Sequence, residues 1–308
     1  MSEHPSRITG LIRLFALIVL SALSTAAWAQ DEIFVTNAGA NSVTVYSRTA
    51  SGNSAPVRTL VGAATGLSTP VGVAVDVVHD ELIVVNNGND SVTVYARTAT
   101  GNTAPLRKLV GAATGMGNSQ ALAVDTKNDE MIVSNDSFPV SITVYARTAT
   151  GNTAPLRKLT GASTGLNGQA GMALDTVNDE IVLSNVNAVP SQILVFARTA
   201  SGNVAPLRTI AGAATGLFRP IGCVVDAVHN EIAVANDSPS SITVYSRTAN
   251  GDVAPLRAIT GAATGLSSLN GMALDLVNDE LITVSRANAV TVHARTATTL
   301  RDHILNWE

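Results

Sequence analysis

The sequence predicts an all-β fold, a six-bladed β-propeller of four-stranded repeats of about 50 residues each. The first sign is a recurring acidic pair at Asp31-Glu32, Asp80-Glu81, Asp129-Glu130, Asp179-Glu180 and Asp279-Glu280, with Asn230-Glu231 as the variant. Its spacings are 49, 49, 50, 51 and 49 residues. The second sign is that the same short runs follow one another in each unit. In one copy they are 72–76 (GVAVD), 81–86 (ELIVVN), 91–97 (SVTVYAR) and 104–110 (APLRKLV), called a, b, c and d below. Each run is rich in Val, Ile, Leu and Thr and is bounded by Gly, Asn, Asp, Ser or Pro, the composition of a strand between turns.

Runs a and b are apolar almost without alternation, which predicts strands buried on both faces between neighbouring blades. Run c ends in an aromatic slot filled by Tyr46, Tyr95, Tyr145, Phe196, Tyr245 and His293, a packing position with a polar tip. Runs b and c occur six times, whereas a occurs five times because the first unit opens directly at b. The sixth d is degenerate: in 299–305 (TLRDHIL), Leu300-Arg301 echoes the Leu-Arg of the other copies. A ring with an incomplete first and last blade is therefore expected, the alternative being part of a longer array.

Residues 1–29 have the layout of a cleaved signal peptide. Arg7 and Arg13 give a positive start, 14–23 are mostly apolar, and Ala27-Trp28-Ala29 supplies small residues before Gln30. The propeller is then 30–308, with repeats starting near 31, 80, 129, 179, 230 and 279. No later stretch approaches the ~20 apolar residues of a spanning helix. The expectation is an exported protein, periplasmic or extracellular, with no membrane contact after cleavage, and a monomer.

Composition narrows the classes further. With 46% hydrophobic residues, 14% charged and one cysteine, the chain is neither a disordered tail nor a disulfide scaffold. Removing Arg7, Arg13 and Glu3 leaves 17 basic and 22 acidic residues, a net −5 that disfavours nucleic acid. Cys223 sits in an apolar run and reads as a buried thiol.

Comparing the six copies separates scaffold from site. Arg48, Arg97, Arg147, Arg198, Arg247 and Arg295 end c, while Arg58, Arg107, Arg157, Arg208 and Arg257 lie in d. Asp76, Asp125, Asp175, Asp226 and Asp275 end a. Charges repeated in this way predict turn-fixing hydrogen bonds and ion pairs between blades. His79 and His229 share a turn slot with Asn128, Asn178 and Asn278, which makes them turn residues.

The a-to-b turns and c-to-d connections barely change, whereas the b-to-c and d-to-a loops vary. Strands alternate in direction, so the constant connections are expected on one face and the variable ones on the other, which becomes the candidate site. Its candidate ligand-binding residues are Asn86, Asn135, Asp136, Asn185, Arg219, Asn236, Asp237 and Arg286. Asn37, Asp90, Gln120, Phe138, Gln169, Phe218 and Asn270 fall beside them. An Asn closes each of the first five b runs, and Arg286 is read as its replacement in the last. These asparagines are read first as turn formers, alternatively as a polar ring at the channel mouth.

The run 33–46 (IFVTNAGANSVTVY) resembles the YVTN repeat of bacterial and archaeal surface propellers, and 70–76 (PVGVAVD) is similar to the NHL-type blade. The resemblance spans essentially all of 30–308. It implies the propeller fold and leaves function open, since such families include binding, scaffolding and enzymatic members.

The expected function is a non-enzymatic binding or surface module with a protein or small-molecule partner and no cofactor, because no nucleophile–base arrangement or dense set of metal ligands is recognisable. The alternative resembles lactonase-type propellers, which implies a divalent cation at the channel mouth held by Asn135, Asn185 and Asp237. No glutamate falls among these candidates, so one ligand type of that pattern is missing.

Overall fold

The computed structural model describes residues 31–298 and 303–306, and these form six antiparallel sheets. Blade 1 has three strands, Glu32–Asn37, Ser42–Ser47 and Arg58–Val61. Blade 2 has the full a-b-c-d order in Pro70–Asp76, Glu81–Asn86, Ser91–Ala96 and Arg107–Val110. Blades 3 to 5 repeat this order, with inner strands Ser119–Asp125, Gln169–Asp175 and Pro220–Asp226. Blade 6 comprises Leu269–Asp275, Glu280–Ser285, Ala289–Ala294 and His303–Asn306. The predicted six-bladed propeller is thus observed, with the first blade lacking its inner strand as expected, whereas the last blade, expected to be incomplete, has four strands.

The last outer strand corrects the expectation drawn from Leu300-Arg301. His303 stands opposite Val292, the register that Arg107 takes opposite Val94 in blade 2. Leu300 and Arg301 lie outside the described residues, as does the signal-peptide segment.

Six apolar clusters hold the ring, each joining two neighbouring blades. Along strand b of blade 2, Leu82 and Val84 pack with blade 1, while Ile83 and Val85 pack with blade 3. Successive side chains of a strand point to opposite faces, so a strand sandwiched between two blades must be apolar throughout. The ring closes where Ile33, Val35 and Tyr46 of blade 1 meet Ile282, Val284 and Val292 of blade 6. The inner strands approach backbone to backbone. A Cβ on Gly171 would lie 2.6 Å from the Gly222 Cα, which is why this strand carries Gly at that place.

The aromatic slot is buried throughout. The Tyr95, Tyr145 and Tyr245 hydroxyls each donate, at 2.6 Å, to the carbonyl of Thr65, Thr114 or Thr215 in the preceding connection. Burial pushes these three phenols up to about 12. Burial also pushes the Cys223 thiol up to about 12, in keeping with an inert buried cysteine.

The repeated charges form one network around the ring. Glu81 receives two hydrogen bonds of 2.6 Å from Arg107 of its own outer strand and one of 2.8 Å from Arg147 of the next blade. The pattern recurs at Glu32 with Arg58 and Arg97, at Glu180 with Arg208 and Arg247, and at Glu231 with Arg257 and Arg295. Glu130 follows with Arg157 and Arg198. Arg48 of blade 1 bonds Glu280 of blade 6 at 3.1 Å and completes the circle. Asp76 and its copies fix the a-to-b turn beside this network: its carboxylate accepts the Val78 and His79 N–H groups and contacts the His79 ring.

The c-to-d connections depart from expectation, because they do not stay on the constant face. Those of blades 2 to 5 run up beside the outer strand of the preceding blade, with Gly101 bridged in parallel to Leu60, Gly151 to Leu109, Gly202 to Leu159 and Gly251 to Ile210. Asn102 then accepts the Ala64 N–H at 2.7 Å, in the d-to-a connection of blade 1. Gly62 adjoins this latch at φ 127°, and a Cβ there would collide with the Asn102 amide.

Glu81→Ala strands two mostly buried arginines and is expected to cost about 3 kcal/mol in a urea titration. Glu280→Ala releases one arginine and is expected to cost about 1 kcal/mol. The pH dependence follows from the same network. Hydrogen bonds from Arg208 and Arg257 hold the Glu180 and Glu231 carboxyls below their ordinary 4.5, outweighing burial. Because the folded-state values are depressed, the stabilisation is present above pH 4.5 and is lost as pH falls through those lower values. The melting temperature measured from pH 7 downwards should therefore hold to about 5 and then drop.

Candidate functional site

The variable b-to-c and d-to-a loops lie together on one face, and two repeated contacts join them. The first is the Asn that closes strand b. Asn86 accepts the Ser68 N–H at 3.1 Å and donates to Thr93 at 2.9 Å. Asn135 accepts from Ser119 and donates to Thr143, both at 2.9 Å. Asn185 accepts the Asn167 N–H and donates to the Gly165 carbonyl, and Asn236 accepts the Phe218 N–H and donates to Thr243. All four are buried within their own blades, consistent with the turn-forming reading.

The second contact is a backbone hydrogen bond one residue further on. The N–H groups of Asn87, Asp136, Val186, Asp237 and Arg286 donate to the carbonyls of Thr69, Asn118, Gly168, Arg219 and Ser268. All these acceptors have positive φ, near 46° at Arg219 and 72° at Gly168. One backbone frame therefore repeats five times, carrying a different pair of side chains each time. Register corrects the reading of Arg286: Ser285 takes the Asn slot, pairing with Leu269 as Asn86 pairs with Pro70. Arg286 instead shares its position with Asp136 and Asp237, six residues after each repeat's Glu.

The structure brings three of the eight sequence-predicted residues into contact. Asp237, 6% exposed, is held between the guanidinium groups of Arg219 at 3.3 Å and Arg286 at 3.2 Å. Eleven of the thirteen arginines among the described residues serve the glutamate network, and these two are the remainder. Beside them opens a cleft of about 590 Å³ lined by Asp237, Arg286 and the serines 238, 240, 267 and 268. Copy comparison missed these serines, and Asn87 and Val186 of the variable slot as well; counting six residues on from each Glu would have found that slot.

The metal candidates Asn135, Asn185 and Asp237 belong to three different blades. The side-chain carbonyls of both asparagines accept the protein hydrogen bonds given above. Among the described residues no three His, Cys, Asp or Glu side chains come together as a metal-ligating group. Gln169 is buried, and neither of its side-chain polar atoms has a protein hydrogen bond. Phe138 and Val189, at the tips of the b-to-c loops of blades 3 and 4, are 95% and 99% exposed, and Phe218 is 53% exposed.

No protein-family model matches the chain, and no curated protein does. Among solved structures 1322 chains match, so the fold by itself selects no activity. One of them is the crystal structure of a nidogen/laminin complex. It is 12% identical with a TM-score of 0.61, and the match covers 94% of this chain and 92% of that one. The likeness establishes the β-propeller fold.

Asn86→Ala leaves the Ser68 N–H and Thr93 without their partner and is expected to lower stability by about 2 kcal/mol. Phe138→Ala is expected to change it by less than about 0.5 kcal/mol. Chemical denaturation of the two variants separates a residue that builds the face from one that the face presents.

Proposed function

We propose that the protein is an exported, non-enzymatic binding module that meets a protein or small ligand through its variable face. The observation that carries this reading is the repeated backbone frame bearing different side-chain pairs: a rigid scaffold varied at one equivalent position per blade is a way to build recognition. Near-complete exposure of Phe138 and Val189 supports it, since large apolar side chains at loop tips gain most by being covered. The sequence likeness to YVTN and NHL repeats and the signal-peptide pattern support export. The nidogen/laminin structure is a protein complex built with a similar fold, which supports a partner of the same kind.

Purified protein would be screened on arrays of extracellular proteins and glycans, beside a lactone and ester panel with Ca²⁺, Mg²⁺ and Zn²⁺. The expected result is a bound ligand that is lost in Phe138→Asp with Phe218→Asp and retained in Val78→Asp with Val177→Asp, on the opposite face. Turnover should be absent with every cation. Cation-dependent turnover, or binding lost only in the Val78 and Val177 pair, overturns the reading.

A further inference from the structure

We propose that the cleft between blades 5 and 6 is a binding site for a small polyhydroxylated oxyanion, a sugar acid or a sugar phosphate, with Arg286 taking the charged group. This rests on the binding-module reading and gives one part of the face a ligand class.

The charge arrangement comes first. Arg219 and Arg286 share a single oxygen of Asp237, so one carboxylate answers two guanidinium groups and the cluster keeps a net positive charge. Arg286 makes one side-chain hydrogen bond, from Nη1 to Asp237, and its other N–H groups have no acceptor among the described residues. Its side chain is 30% exposed at the cleft. A guanidinium offers a planar fork of donors that fits carboxylate or phosphate in two parallel bonds. Asp237 fixes the arginine from behind, which reduces the freedom it would lose on binding.

The walls supply the rest. The Ser238, Ser267 and Ser268 hydroxyls make no hydrogen bond among the described residues, and Ser240 donates to the Asp237 carbonyl while keeping its oxygen available. Hydroxyls both donate and accept, as a polyol requires. Pro239, Ala262 and Leu266 are the apolar contribution to the lining, and among the described residues Asp237 is the one acidic side chain there.

The site is particular to this pair of blades. In blades 1 to 4 an oxygen from the next c-to-d connection (Asn102, Asn152, Asn203 or Asp252) caps the turn after the outer strand. Between blades 5 and 6 it is the slot after strand b that stands apart: it carries Asp237 and Arg286, which meet at 3.2 Å, where blades 2 to 4 carry Asn87, Asp136 and Val186.

Calorimetry of the full protein with glucuronate, glucose 6-phosphate, glucose and sulfate tests the assignment. Glucuronate or glucose 6-phosphate, or both, should bind at least about tenfold more tightly than glucose, and the stronger of the two names the charged group. Sulfate alone should bind more weakly than the preferred sugar. Arg286→Gln should reduce that binding by about tenfold or more while leaving the melting temperature near wild type. Ser267→Ala with Ser268→Ala, which spares the arginine, should weaken the sugar and leave sulfate unchanged. Equal binding of glucose and the charged sugars, no binding of any of them, or full binding by Arg286→Gln overturns the assignment. If that happens while Phe138→Asp still abolishes binding of an array partner, only the oxyanion site falls and the binding-module reading stands.

Discussion

The ring depends on one carboxylate per blade, shared in blades 1 to 5 between two arginines. A glutamate at the foot of strand b is forked by the arginine of its own outer strand and reached by the arginine of the following blade. In these half-screened surroundings the pairs are well satisfied, with bidentate geometry that surface ion pairs generally lack. The interaction makes each blade's position depend on its neighbour and occupies eleven of the thirteen arginines among the described residues. The pair at Asp237 is conspicuous because it is left over.

Much of this was legible in the sequence, and where legibility ended is instructive. The acidic pair and aromatic slot announced the period because each fills a position that every blade needs. Residue types in the network were readable, but their partners were not, since Arg97 reaches Glu32 across 65 residues and only the packing of blade 2 on blade 1 brings them together. The climb of the c-to-d connection could not be read, because it is made by backbone groups: the Gly101 N–H donates to the Thr59 carbonyl and the Gly101 carbonyl accepts the Val61 N–H. Ser285 concealed the true place of Arg286, having lost the amide that marks that slot in the other blades. At the final outer strand a two-residue echo pointed to Arg301, while pairing with Val292 begins at His303.

The asparagines show why residue type alone is a poor guide to a site. They are polar, repeated and next to variable loops, yet each is consumed within its own blade, Asn86, Asn135 and Asn236 by a neighbouring threonine and Asn185 by the Gly165 carbonyl. The variable position one residue later has no consistent chemistry, and that inconsistency marks it. Asn87 spans to Asn118 of the next blade, Val186 has an aliphatic side chain, and Asp237 draws in two arginines. A shared backbone hydrogen bond with different side chains separates architecture from recognition without any comparison between species.

The climbing connections also give the ring a direction. Both the latch from Gly101 to Leu60 and the reach of Arg97 to Glu32 run from a later blade back to an earlier one. Beyond the Arg–Glu fork within the blade, blades 1 to 5 are each held by an arginine of the successor. A chain emerging N-terminus first from a ribosome or a translocation pore would therefore consolidate one blade behind the point of emergence, like a ratchet whose pawl arrives with the next tooth. A pull from the C-terminal end would meet the fastenings in the reverse order, each blade leaving with the clasp of the one before it.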